Sequence, residues 1–166
     1  MQITEIRPGP PALRIWRLSS ILSTAVTMSA ALAHLMEMPA KMRYERDLYV
    51  RLHRTLYNMF GKFAGPTEAF AVVSTGLLAL WTRKHQPESA GLTAAAALSL
   101  AAADGVFWAA VEPVNRTMGS WPMDAIPADW SRWRDRWEYG HAVRACLATG
   151  ALATLTLSML KERTQS

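Results

Sequence analysis

Cysteine is almost absent from this chain of 166 residues, since Cys146 is the only one. One thiol cannot form an internal disulfide, and it cannot provide the paired thiolates that hold a structural zinc ion. The sequence also has no glycine-rich phosphate loop after a strand, and no Ser-His-Asp triad can be assigned from it. These absences exclude a disulfide-stapled module and a cysteine-rich zinc module, and they give no support to a nucleotide-binding enzyme.

Charge is missing from long parts of the chain. Four apolar stretches of about 19 to 21 residues each match the length that crosses the hydrocarbon core of a bilayer. Residues 91–103 carry no charge and have no polar face, which disfavours the alternative of a soluble helical bundle with an alanine-rich core. The mean hydropathy is only +0.04 because polar connections separate the stretches. The prediction of membrane spans therefore rests on the hydropathy of local windows and not on the mean. The predicted spans are 18–36, 63–81, 91–111 and 142–160.

The pattern predicts an all-α fold, a four-helix transmembrane bundle with an additional interfacial amphipathic helix. The membrane domain is expected to cover residues 14–160, with tails at 1–13 and 161–166. Residues 41–58 supply the interfacial helix, because their apolar positions recur at spacings of three and four among charged residues. Residues 130–139 predict a helical lead-in to the fourth span.

Proline and glycine predict where the helices end. Pro39 is expected to kink or end the first helix, because proline removes a helical hydrogen bond. Gly61, Gly65 and Pro66 predict a turn into the second span. The third helix is expected to end just before Pro113, with a loop after it.

The net charge of +5 points to a membrane surface. Lysine and arginine lie in the connections beside tryptophan and tyrosine, as they do where spans meet anionic headgroups. A nucleic-acid-binding protein would instead carry a basic stripe on a soluble surface. We therefore expect the lipid bilayer as a partner, no nucleic acid, and a location in the plasma (inner) membrane. The small residues Ala97, Ala101 and Gly105 predict close helix contact. A homo-oligomer is a possible assembly.

Ionisable and amide side chains gather where the spans end on one side of the predicted bundle. The first span ends and the second begins on the same side as the third ends and the fourth begins. Such groups are costly in lipid, so in a membrane bundle they usually mark a functional site. The residues gathered there are His34, Glu37, Glu68, Glu112, Asn115, Glu138, His141 and Arg144.

Two histidine–carboxylate pairs have the spacing of a metal site in a helical bundle. Glu138 and His141 are three residues apart, and so are His34 and Glu37. The Glu-x-x-His spacing lets a carboxylate and an imidazole bind one ion. Glu68 on the second span adds an oxygen ligand. These five residues predict a site for a divalent metal, which could be iron, copper, manganese or zinc.

The same charges also fit an ion-pair network that holds the helices together. Arg144 lies a turn inside the fourth span and needs a partner, for which Glu68, Asp104 and Glu138 are candidates. A third interpretation is a proton-coupled carrier with His34, Glu68 and Asp104 as a relay. It is the weakest of the three, because four spans without inverted repeats make a poor transporter.

Aromatic side chains accompany these groups. Trp133, Trp137 and His141 form a stripe at spacing four, and Tyr57 and Trp108 are further candidates for substrate binding. Such stripes often form packing surfaces. Beside a base and a cation, however, they suit a planar, acidic, apolar substrate. A histidine or carboxylate would take its proton, and an arginine or asparagine would stabilise the oxyanion.

Two short motifs resemble the anthrone-oxygenase-like family of small four-helix membrane proteins. Pro113 and Asn115 are similar to the family's Pro-x-Asn element after the third helix. Trp137, His141 and Arg144 resemble its Trp-x-x-x-His-x-x-Arg element at the start of the last span. The end of the first span is also similar, and the resemblance covers about residues 15–160.

The resemblance implies a four-helix membrane protein, and in some members the oxidation of a polyketide anthrone to an anthraquinone by molecular oxygen, with no obvious organic cofactor. It implies Asn115, Trp137, His141 and Arg144 as the pocket. We therefore predict a membrane-embedded oxygenase acting on a lipophilic aromatic, anthrone-like substrate. His141 is the expected base, Arg144 and Asn115 hold the oxyanion, and Glu138 orients them or binds a metal. The alternative is a non-catalytic membrane binding or assembly subunit with a structural ion-pair network.

Overall fold

The computed structural model describes residues 11–164, with side chains except those of Asn58 and residues 162–164. The described chain is all helical, as predicted. Two single π-helical turns interrupt the α-helices, at His53–Tyr57 and Phe107–Val111. The α-helices are α1 Pro11–Lys41, α2 Arg46–Leu52, α3 Asn58–His85, α4 Pro87–Val106, α5 Glu112–Ser120 and α6 Trp130–Thr164.

Four helical stretches are long and apolar enough to cross a membrane, which confirms the predicted fold class. They are Pro11–Lys41, Met59–His85, Pro87–Ser120 and Trp130–Lys161, and each contains one predicted span. Of the predicted tails, residues 1–10 and 165–166 lie outside the described residues, while 11–13 and 161–164 belong to α1 and α6. The particular membrane and the oligomeric state stay predictions.

The predicted turn at Gly61, Gly65 and Pro66 is wrong, and α1 continues for two residues past Pro39. Pro39 lies inside α1, and Gly61, Gly65 and Pro66 lie inside α3. Proline is tolerated within helices of a membrane bundle, where neighbouring groups and local adjustments compensate for the missing hydrogen bond. The turn that joins α1 to α2 comes two residues after Pro39, since α1 ends at Lys41.

The third long helix also continues through its proline. Pro113 has no N–H to donate to the carbonyl of Ala109, four residues earlier. The guanidinium of Arg136 on α6 donates to that carbonyl instead, at 2.6 Å. The π-helical turn Phe107–Val111 directly precedes this position, and α5 then runs to Ser120. The helix therefore extends eight residues past Glu112, where a loop was expected.

The connection between the first two spans is helical, as predicted, but protein covers part of its apolar face. Tyr49 and Val50 of α2 are fully buried. They belong to the largest apolar cluster of the described chain, here called the cap cluster. It gathers residues from α2, the π-helical turn Phe107–Val111, α5, the loop after α5 and the start of α6. Its buried members are Tyr49, Val50, Val111, Val114, Met118, Trp121, Ile126 and Trp137.

Helix contact within the spans uses small residues, but not on the predicted face of α4. Ala101 and Gly105 are exposed, so they face the surroundings of the bundle. The buried face of α4 instead includes Ala96, Leu100 and Ala103, and it packs chiefly on α6. Spacing alone could not choose between two faces that are both rich in small residues.

Gly140 is the glycine at which α6 approaches its neighbour most closely. A Cβ there would lie 2.9 Å from Cγ2 of Val111, whose side chain is fully buried. Gly150, on the same helix, has no such neighbour within 4 Å. Overpacking of this kind typically costs about 1–3 kcal/mol, whereas alanine otherwise favours a helix by up to about 1 kcal/mol.

We expect Gly140→Ala to lower the thermal unfolding midpoint of the purified protein, while the matched variant Gly150→Ala leaves it unchanged or raises it. The reason is the contact with Val111, which only the first variant disturbs. Differential scanning fluorimetry in one detergent compares the two. Equal midpoints would show that α6 and the π-helical turn are not packed as described.

Candidate functional site

A cavity of about 620 Å³ lies between α1, α3, α6 and the π-helical turn Phe107–Val111. It brings together eight of the eleven residues predicted for the site. The three that do not line it are Glu37, Trp133 and Glu138. The eight that do are His34, Tyr57, Glu68, Trp108, Asn115, Trp137, His141 and Arg144.

Arg144 of α6 occupies the polar part of this cavity and is almost fully buried. Its Nη2 donates to both carboxylate oxygens of Glu68 on α3, at 2.5 and 2.6 Å. Its Nε donates to the carbonyl of Ala103 on α4 at 3.3 Å. The guanidinium also lies over the ring of Phe107, 5.0 Å from the centroid. Of the three partners considered for this cation, Glu68 is thus the one that pairs with it.

Arg144 also sets the protonation pattern of His141. Its Nη1 lies 3.2 Å from His141 Nδ1. An arginine can only donate, so this contact makes Nδ1 an acceptor and places the proton of a neutral imidazole on Nε2. In this arrangement His141 is a hydrogen-bond donor toward the cavity. The prediction that it is the base stays untested, but its Nδ1 lone pair is already occupied.

His34 forms a pair with His141 in the same cavity. The two rings lie 4.2 Å apart between centroids, and both residues are buried. His34 Nδ1 is buried without a hydrogen-bond partner among the residues described. Trp137 packs edge-on against both imidazoles, at 4.2 Å from His141 and 4.9 Å from His34. His34 thus contributes an imidazole to the cavity wall, and no hydrogen bond to its buried Nδ1 fixes its tautomer.

Asn115 joins α5 to α6 at the rim of the cavity. Its Oδ1 accepts from the indole Nε1 of Trp137 at 2.8 Å, and its Nδ2 donates to Glu112 at 3.2 Å. Glu112 in turn accepts from Arg116 at 2.8 Å. The amide is thus oriented by partners on both sides.

Glu138 lies behind the cavity wall in a buried ion pair that sequence reasoning missed. Its carboxylate contacts Nζ of Lys41 at 2.9 Å and accepts from the hydroxyl of Tyr49 at 2.9 Å. Lys41 is itself buried and lies over the ring of Trp137, 4.8 Å from the centroid. The only local signal for Lys41 was its position four residues after Glu37, which suggests an ordinary surface pair.

The other two predicted residues outside the cavity have structural neighbours. Glu37 is exposed and accepts from the hydroxyl of Tyr57 at 2.9 Å. Trp133 packs edge-on against Trp121, 6.3 Å between centroids, at the edge of the cap cluster. Trp133 is thus a packing residue, one of the two interpretations that its stripe allowed.

No group of three or more His, Cys, Asp or Glu side chains is arranged to hold a metal ion within residues 11–164. The three predicted carboxylate ligands have cationic partners: Glu68 pairs with Arg144, while Lys41 pairs with Glu138 at 2.9 Å and with Glu37 at 3.7 Å. His34 and His141 remain together. A divalent metal therefore stays a prediction.

Small residues of α3 create the space of the cavity. Gly61, Ala64, Gly65 and Ala69 line it on one side, and a Cβ built on either glycine would meet nothing within 4 Å. Sequence reasoning assigned these glycines to a turn and so missed their role. The signal was present, because small residues at spacings of three and four mark one face of a helix.

Burial shifts the titration of three groups in the segment between the first two candidate spans. Burial and the nearby charge of Lys41 lower the pKa of His53 to about 4, so its imidazole is neutral at pH 7. Burial, together with the neighbouring Glu138, raises the pKa of Tyr49 well above its usual range. Burial and Glu37 do the same to the pKa of Tyr57. Both phenols therefore keep their protons and act as donors.

The Glu68–Arg144 pair gives a first prediction for this site. Glu68→Gln leaves a buried guanidinium without its counter-charge, which typically costs about 3–5 kcal/mol. We expect a large drop in the thermal unfolding midpoint or in the yield of folded protein. The matched control is Asp47→Asn, which breaks the exposed Arg46–Asp47 pair and should cost less than about 1 kcal/mol. Similar small effects of both variants would contradict the assigned pairing.

His53 gives a prediction on pH. Its pKa is about 4 in the folded protein, below the ordinary value of 6.5, so the unfolded chain binds more protons between these values. Stability is therefore retained above pH 6.5 and is lost as the pH falls towards 4. Protonation of His53 costs the wild type about 2 kcal/mol of stability between pH 7 and pH 5, and we expect His53→Gln to remove this loss.

Thermal midpoints at the two pH values measure this effect of His53. The control is His85→Gln, because His85 is exposed at the other end of α3. It should reproduce the wild-type pH dependence. Parallel pH profiles for wild type and His53→Gln would show that this imidazole is not buried in its neutral form.

Comparison with known proteins agrees with the motifs at this cavity. Residues 54–154, more than half of the chain, match the family model described as anthrone oxygenase. No curated protein and no solved structure matches the chain. The matched range includes Asn115 and Trp137 together with His141 and Arg144. The chain therefore belongs to the anthrone oxygenase family.

Proposed function

We propose that the protein is a membrane-embedded oxygenase that converts a lipophilic aromatic substrate of the anthrone type to a quinone with molecular oxygen. The observation that carries the proposal is the cavity, in which two histidines and a buried arginine face apolar aromatic walls. Family membership supports the reaction class, and the four candidate spans support a substrate drawn from the lipid phase.

The size and walls of the cavity suit such a substrate. Its volume of about 620 Å³ lies within the range of small-molecule pockets. Phe60, Phe107 and Trp108 supply aromatic surface against which a planar ring system can stack. The rest of the lining is polar and could fix one orientation of the rings. It includes His34, His141, Arg144 and Asn115, together with the carboxylates of Glu68, Asp104 and Glu112.

In the proposed reaction, His34 is the base. Its imidazole, which lines the cavity, takes a proton from the methylene carbon between the aromatic rings, and the electron pair passes to the oxygen of the ring carbonyl. His141, which carries its proton on Nε2, donates to that oxyanion, and the charge of Arg144 stabilises it. The sequence analysis predicted His141 as the base. The proposal gives that role to His34, because Arg144 occupies Nδ1 of His141.

The carbanion then adds molecular oxygen to form a peroxide anion, and the proton held on His34 passes to it to give the hydroperoxide. His34 next removes the remaining hydrogen of the same carbon as a proton, that electron pair forms the second carbonyl as the O–O bond breaks, and the departing hydroxide takes this proton to leave as water. The methylene carbon loses two hydrogens, one oxygen atom enters the quinone and the other leaves as water. Oxygen is the only oxidant that this balance needs.

Oxygen uptake with an anthrone, measured together with quinone formation, tests the proposal. We expect wild-type protein in detergent to exceed the protein-free rate, and His34→Gln to lower kcat by about 100-fold or more, as for the loss of a general base. His85→Gln, a histidine outside the cavity, is the control and should keep full activity. A His34→Gln rate within twofold of the wild type would remove His34 from the mechanism.

Elemental analysis of the same preparation, purified without chelators, tests the predicted divalent metal. Near-stoichiometric iron, copper, manganese or zinc in the wild type, lost in His141→Ala, would establish a metal-dependent enzyme. A folded preparation without metal that consumes oxygen would establish direct oxidation.

The second candidate is a binding or assembly subunit without catalysis. The observation that favours it is the pair of buried ion pairs, Glu68–Arg144 and Lys41–Glu138, each of which joins two helices. Such contacts can hold a bundle together without any reaction. In that case no anthrone would be consumed above the protein-free rate, and His34→Gln would change only stability.

A further inference from the structure

A second cavity of about 510 Å³, here called the vestibule, adjoins the first. The two cavities share wall residues, among them Tyr57, Phe107 and Asn115. A ligand with its rings in the first cavity can therefore extend a substituent into the vestibule. None of the reaction steps above uses this second space.

The walls of the vestibule carry more positive than negative charge. Arg54, Lys62 and Arg116 line it, against one carboxylate, that of Glu112. Arg116 pairs with Glu112, and Arg54 donates to the carbonyl of Trp121 at 3.0 Å. Lys62 has no ion-pair partner in the described chain. The vestibule therefore presents a net excess of cations at the side where several helices end.

His53 forms a buried part of the vestibule wall and is 4 % exposed. The amide of Asn115 lies beside its ring, and both ring nitrogens are fully buried without another hydrogen-bond partner among the described residues. A buried, neutral imidazole adds no charge, so the charge of the vestibule comes from its lysine, its two arginines and Glu112.

We propose that the vestibule binds an oxyanion, the carboxylate of an aromatic acid whose rings occupy the first cavity. The identity of the rings rests on the proposed function, whereas the charge preference rests on the vestibule alone. Lys62 and Arg116 supply the opposite charge, and Arg54 lines the same space. The phosphate of an anionic phospholipid has similar chemistry and is the competing occupant.

Binding of two matched quinones separates the anion from the rings. Anthraquinone-2-carboxylate and 2-methylanthraquinone have the same ring system and differ in charge. They are already oxidised, so binding is measured without turnover, by quenching of tryptophan fluorescence in a non-ionic detergent free of phospholipid. Trp108 and Trp137 of the cavity wall report it.

We expect wild-type protein to bind the carboxylate about tenfold more tightly than the methyl compound. The double variant Lys62→Gln, Arg116→Gln should lose about tenfold in affinity for the carboxylate and none for the methyl compound. Arg51→Gln, an exposed arginine outside the vestibule, is the control and should bind both as the wild type does.

Equal affinity of the two quinones for the wild type would overturn the proposal, and so would an equal loss for both in the double variant. A third arm adds short-chain phosphatidylglycerol as monomers. If this lipid binds selectively to the wild type while the quinones are not distinguished, the vestibule holds a headgroup and not a substrate. Selective quinone binding without oxygen uptake would overturn the proposed oxygenase activity but would support the proposed anion site in the vestibule.

Discussion

The structure depends on one requirement, that the charge of Arg144 be neutralised inside a helix long and apolar enough to cross a membrane. An arginine at this depth costs several kcal/mol unless it is paired. Glu68 meets the requirement from α3, and the carbonyl of Ala103 on α4 accepts a further hydrogen bond. One side chain therefore ties together three of the four long helices, and it fixes the depth at which they meet.

The same side chain determines what the cavity can do. Because the guanidinium can only donate, it directs the proton of His141 towards the cavity and leaves His34 as the imidazole with a free nitrogen. The two histidines thus become a donor and an acceptor although their residue type is the same. The space beside them exists because α3 presents glycine and alanine where a larger side chain would fill it.

The sequence could predict the spans, because apolar length is a local property, and it could predict that polar residues at four span ends would meet. It placed the helix ends wrongly at Pro66 and Pro113, because whether proline breaks a helix depends on neighbours that local patterns do not reveal. It also grouped Glu138 with His141 by spacing. In the structure Glu138 is turned away towards Lys41, a partner 97 residues earlier that no local rule identifies.

The two family motifs contact each other where α5 packs against the start of α6. In the Pro-x-Asn element, Pro113 leaves the Ala109 carbonyl to accept from Arg136, and Asn115 accepts from Trp137 two turns before Arg144. In the Trp-x-x-x-His-x-x-Arg element, residues at spacings of four and three put the indole, the imidazole and the guanidinium on one face of α6. The first motif therefore anchors the start of the face that carries the second. A helix end held in this way can keep His141 and His34 in contact, which a free helix end in a fluid bilayer could not.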